Sequence, residues 1–130
     1  MSSIEDARIH LAKAREFLHA ADLNKDARLY DAAISNAVTS GVNSKDAICL
    51  RLTGRTGKST RHEDAVGELE AAGHAVRRGS LTATLANELS TLLLMKTRAQ
   101  YDAVIHDHQQ AEEAIAHAQV LLDGALAIVS

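Results

Sequence analysis

The chain has 130 residues, room for one domain, and with 46% hydrophobic and 24% charged residues it can bury a core and is too weakly charged for a disordered polymer. Fourteen basic against seventeen acidic residues leave a net charge of −3, which excludes a global pull toward polyanions and leaves room only for a local basic strip. No proline and only three aromatics, Phe17, Tyr30 and Tyr101, describe a builder of helices and exclude all-β and large α/β folds.

In the first predicted helix, Ile4, Ala7, Leu11, Ala14, Leu18 and Ala21 recur at the three-and-four spacing of one helical face, with Ser3 and Asp6 as a capping pair. A long second helix is expected from near Asp26, through Tyr30, Ala33, Ile34, Ala37, Val38, Val42, Ile48, Cys49 and Leu52, to a stop at Gly54. The third begins with Thr60 as cap and Glu63 three residues on, carries Ala65, Val66, Leu69, Ala72 and Val76, and ends at Gly79 in the place of a C-terminal glycine. The fourth carries Leu81, Leu85, Leu89, Leu92, Leu93 and Ala99 and runs to about Ile105. Asp107 with Gln110 opens the fifth, whose face is Ala111, Ala114, Ile115, Ala118, Leu121, Leu122 and Ala125. The expected architecture is all-α, a five-helix antiparallel bundle over residues 1–130 as a single domain. Leu94, Met95, Val120, Leu126, Ile128 and Val129 exceed what one bundle face needs, and a homodimer seam is their simplest outlet.

The segment Gly54-Arg-Thr-Gly57-Lys58-Ser59-Thr60 resembles a phosphate loop, but the first glycine of that motif would fall at Leu52 and the chain lacks the strands that carry it. What remains is an inter-helix loop able to touch phosphate through Arg55, Lys58 and Arg61. Along helix two, Asn36, Thr39, Ser40, Asn43, Ser44 and Asp46 interrupt the apolar pattern. They form internal hydrogen bonds, or they line a ligand pocket or a dimer seam, since an unpaired buried polar group costs roughly 1 to 3 kcal/mol. Lys96 and Tyr101 on helix four would be the opposite wall of such a pocket, although Lys96 can equally pair with a carboxylate or snorkel.

His106 and His108 stand beside Asp102 and Asp107 at the turn between helices four and five. The spacing lacks a zinc signature, so exposed turn histidines and no metal are expected. His10, His19, His74 and His117 are expected at the surface. The single Cys49 forbids an internal disulfide and reads as a small core residue in a reducing cytoplasm. The acidic, amphipathic start lacks an apolar signal core and no stretch reaches a membrane span, so cytoplasmic localisation with no membrane contact is expected.

Ala14-Arg-Glu-Phe-Leu18, the long helix from Ser35 to Leu52 with Lys45-Asp-Ala-Ile-Cys49, Arg61-His62 before helix three, Leu93-Leu-Met-Lys96-Thr-Arg-Ala-Gln-Tyr101-Asp102, and an alanine-rich last helix after Gln110-Ala-Glu-Glu113 follow one another in this chain. In that order of elements the chain resembles the HEPN family of small helical domains. The resemblance implies a HEPN-like bundle, a homodimer, and company with an antitoxin or a nucleotidyltransferase. Many members are metal-independent ribonucleases with arginine, four to six residues, then histidine. Here Lys96 and Tyr101 stand in those places, Arg98 to His106 is one residue too long, and Arg55 to His62 lies in the wrong loop. A tyrosine, ordinarily near pKa 10, is a poor base at neutral pH. The leading expectation is therefore a noncatalytic HEPN-type protein without cofactor. It would bind a nucleotide, an RNA or a protein partner through Asn43, Asp46, Arg55, Lys58, Arg61 and His62. The alternatives are a ribonuclease toxin using Lys96 and Tyr101, and a structural dimeric scaffold.

Overall fold

The computed structural model describes the backbone of residues 3–57, 61–101, 103 and 105–129, with side chains throughout except at His62, Ala99, Gln100 and Tyr101. Among the described residues there are five helices and no strand: α1 (Ser3–Asp26), α2 (Tyr30–Thr53), α3 (His62–Ala75), α4 (Gly79–Tyr101) and α5 (His108–Val129). The expectation of an all-α, five-helix chain holds, while several boundaries move. α1 continues past Ala21 to Asp26, α2 begins at Tyr30, and α4 ends at Tyr101.

The stop signals explain those shifts. After α1, the Arg28 N–H reaches the Lys25 carbonyl at 3.0 Å and the Leu29 N–H reaches Asn24 at 2.8 Å, with Arg28 at φ 63°. This paired closure is a Schellman motif. The same closure ends α3, where Arg77 at φ 57° takes the left-handed position and Arg78 N–H reaches the Gly73 carbonyl at 2.7 Å. Gly79, expected to be that left-handed residue, instead opens α4. Gly54 does end α2 as expected, at φ 78°, with its N–H on the Leu50 carbonyl. α5 opens on the expected capping box: Asp107 Oδ1 accepts from the Gln110 N–H and Gln110 Oε1 from the Asp107 N–H, both at 2.9 Å. α3 has Arg61 as its N-cap residue, without a side-chain cap. The predicted cap, Thr60, lies outside the described residues.

α2 is the central element and packs against all four other helices. Its Ile34 and Ile48 meet a core that includes Leu69, Leu89, Leu92 and Leu121, all fully enclosed. The buried alanines Ala7, Ala14 and Ala21 on α1 let the two backbones approach closely enough for Ser40 Oγ to donate to the Ala14 carbonyl at 2.7 Å. Of the apolar surplus on α4 and α5, Leu94 and Val120 stand exposed. Met95, Leu126 and Ile128 pack half-buried on the core, and Val129 is inside it. Among the described residues no helix is long and apolar enough to cross a membrane.

Candidate functional site

In the second half of α2 the helix carries a cation inward. Lys45 is 2% exposed, and its ammonium donates to Asp46 Oδ1 at 2.8 Å, Thr56 Oγ1 at 3.0 Å and Glu68 Oε2 at 2.5 Å. An ammonium has three donors, and all three are used. The Thr56 hydroxyl in turn donates to Asp46 Oδ1 at 2.6 Å, and Glu68 Oε2 also accepts the Gly57 N–H at 3.1 Å. The network therefore staples the 54–57 loop to both α2 and α3. A Cβ at Gly57 would displace the Glu68 carboxylate from its present position. Burial by itself would lower the lysine pKa, but the hydrogen bonds to Asp46 and Glu68 outweigh it and hold the ammonium above its ordinary value.

Beside this network lies a cavity of about 340 Å³, lined by Cys49, Thr53, Arg55, Thr56, Gly57 and Glu68, with Ala71, Ala72 and Ala75 of α3 as its apolar wall. That volume falls in the range of small-ligand sites. Burial pushes the Cys49 thiol up to about 11, so it is a neutral thiol at physiological pH, as expected of a core cysteine. Thr53 Oγ1 donates within its own turn, 2.9 Å from the Cys49 carbonyl. Arg55 is exposed at the rim and forms no ion pair among the described residues.

The residues expected to form a site are distributed as follows. Asp46 and Arg55 come together around the loop, one in the network and one on the cavity wall. Asn43 faces α1 instead, where His10 Nδ1 lies 2.8 Å from its Oδ1, and its amide donates to the Thr39 carbonyl at 2.9 Å. The polar stripe of α2 is thus chiefly a hydrogen-bonded seam with α1, continued by Asn36 on Asn24 at 2.6 Å. Ser44 Oγ is its exception, enclosed without a partner. Arg61 is exposed at the start of α3, 3.9 Å from Glu63. Lys96 is exposed on α4 and does not line the cavity. Lys58, and the side chains of His62 and Tyr101, lie outside the described residues.

Sequence reasoning passed over Lys45, Thr56 and Glu68. The signal was present: Lys45 lies four residues from both Gly41 and Cys49, on the inward face of α2, so a cation there needs carboxylates. His106 also departs from expectation. It is 6% exposed, because Nδ1 is held 2.7 Å from Asp31 Oδ1 in the first turn of α2, and that bond offsets its burial. His10 and His117 are half-buried, the latter on Glu88 at 2.5 Å. His19, His74 and His108 are exposed as expected. Among the described residues no group of three or more histidine, cysteine, aspartate or glutamate side chains is placed to hold a metal. Asp102, part of the cluster read from the sequence, lies outside them. The chain matches no protein-family model and no curated protein sequence.

Proposed function

We infer that the chain is a noncatalytic, HEPN-type helical module that binds a nucleotide, free or within an RNA, in the cavity between α2, the 54–57 loop and α3. The observation that carries this reading is that, among the described residues, the acid–base and nucleophilic groups around the cavity are committed elsewhere while one cation is left over. The Lys45 ammonium is saturated, Asp46 and Glu68 are bound to it, and the Cys49 thiol keeps its proton. None is placed to move a proton on a substrate. Arg55 remains to grip a phosphate, the alanine wall of α3 offers an apolar surface for a flat ring, and Lys45 neutralises the carboxylate of Glu68 that would otherwise repel an anion. The resemblance to HEPN proteins makes a homodimer, and an antitoxin or nucleotidyltransferase partner, the expected company of such a module.

Calorimetric titration of the full chain with AMP, ATP and a short single-stranded RNA tests the reading. Saturable binding is expected, weakened about tenfold in Arg55→Gln through loss of a charged hydrogen bond. The same RNA should stay intact with and without EDTA. Cleavage that survives EDTA and disappears in Lys96→Ala and Tyr101→Phe would replace this reading with the ribonuclease one. Failure of every probe to bind would leave the scaffold.

A further inference from the structure

The first turn of α2 borders a second cavity, of about 290 Å³, that the proposed nucleotide site does not use. α2 has 24 residues, so the two cavities lie toward ends of a helix about 36 Å long. The second is lined by Arg28, Leu29, Tyr30, Asp31, Ile105 and His106, together with Ala32. Two cationic or potentially cationic groups meet there with capacity unspent. His106 gives Nδ1 to Asp31, but Nε2 has no protein partner among the described residues. Ser44 Oγ is the only fully enclosed side-chain nitrogen or oxygen without a partner among those residues, so Nε2 is not sealed in the interior. Arg28 forms no ion pair among the described residues, and the Schellman closure fixes its backbone at the cavity rim. The first-turn N–H groups of α2 add to these, since Leu29 at the N-cap provides no side-chain acceptor.

The lining also carries large apolar side chains. Ile105 is 89% exposed and Leu29 55%, unusual for large aliphatic side chains, and both border the cavity. We propose that this cavity binds a small organic phosphate, with the phosphoryl oxygens on Arg28, His106 Nε2–H and the first turn of α2, and its apolar body against Leu29 and Ile105. Asp31 brings a negative charge to the same lining, with its Oδ1 turned to Nδ1–H of His106. With both ring nitrogens protonated, Arg28, His106 and Asp31 sum to one positive charge. Those are the charges facing the ring from α2 and the preceding turn. His108 of α5 stands edge-on to Tyr30 at 5.8 Å, with Glu112 3.7 Å from its Nε2.

The test is NMR observation of the His106 ring in the full chain, titrated with phenyl phosphate, inorganic phosphate, phenol and benzoate. The expected result is a saturable shift of the ring with phenyl phosphate, weaker with either half of the probe. Arg28→Gln, on an exposed turn, should weaken binding about tenfold, whereas Arg55→Gln should leave it unchanged, which separates this site from the nucleotide cavity. A ring that phenyl phosphate leaves unshifted, affinity unaltered in Arg28→Gln, or equal binding of benzoate would each overturn the assignment.

Discussion

At one end of α2 the helix is held by Lys45, whose three donors end on Asp46, Thr56 and Glu68; at the other it is held by Asp31, which accepts from a single nitrogen of His106. Both anchors bury a basic side chain against carboxylate, yet they leave different chemistry behind. The ammonium is spent on the fold and stays charged over the accessible pH range. The imidazole keeps one nitrogen in reserve. A buried basic group is a structural tie when its hydrogen bonds close on the protein, and a possible contact for ligand when they do not. By that criterion the Lys45 network shapes the wall of its neighbouring cavity, and under the proposed function recognition there falls to Arg55.

The largest effect that separates the two ends is expected from Lys45→Met. Removing the ammonium leaves Asp46 and Glu68 facing each other around a nearly dry site, a loss of about 3 kcal/mol, at the lower edge of what breaking a buried pair costs because Glu68 keeps some solvent contact. Urea denaturation of the variant measures it directly. A loss below about 1 kcal/mol would mean that the network is an incidental surface pair, and the contrast between the two ends would collapse.

Alkaline pH should act on the same end and hardly on the other. The folded Cys49 thiol titrates at about 11 against an ordinary value of 9.0, so the unfolded chain loses its proton first as pH rises. Stability contributed by the protonated thiol is complete below pH 9 and lost as pH rises through 11, about 3 kcal/mol in all. Lys45, also raised, retains its contribution below its ordinary 10.5 and loses it as pH passes its higher folded value. Melting temperatures from pH 8 to 11 should therefore fall, and less steeply in Cys49→Ala. Parallel curves for the two proteins would remove the thiol from the account. Native Cys49 should likewise resist iodoacetamide at pH 8 and react once urea is added.

The fold was largely legible because its signals are local. The three-and-four recurrence of apolar residues marks each helical face, and Gly54 and the Asp107–Gln110 pair act within a turn of where they stand. Boundaries slipped where arginine took a role that glycine usually holds. Nothing in the residues around Arg28 or Arg77 announces a left-handed backbone, which carries a cost of roughly 1 to 2 kcal/mol for a residue with a Cβ, so Gly79 was the natural but mistaken choice. The candidate site was half legible. Asp46 and Arg55 stood out as polar residues in or beside an apolar helix, but the partners that give Asp46 its role are Lys45, its neighbour, and Thr56 and Glu68, ten and twenty-two residues on. Periodicity reports which face a residue occupies and carries no information on what a distant helix brings to that face. His106 failed for the same reason, its burial being set by Asp31, seventy-five residues earlier.

The smallest effect sharpens the comparison most, because it asks how much of the His106 anchor is charge. Asp31 is 56% exposed, so solvent and salt screen its attraction to the ring, whereas the hydrogen bond to a ring that is itself enclosed is not replaced by water without rearrangement. Asp31→Asn preserves an acceptor oxygen and removes the charge; Asp31→Ala removes both. The alanine variant is expected to lose about 1 kcal/mol, the asparagine variant less than half of that, and the gap between wild type and asparagine should close in high salt while the alanine loss persists. Urea denaturation at low and high sodium chloride measures all three. If asparagine costs as much as alanine at both salt concentrations, the anchor is ionic after all, and the two ends of α2 differ in the number of bonds they make but not in kind.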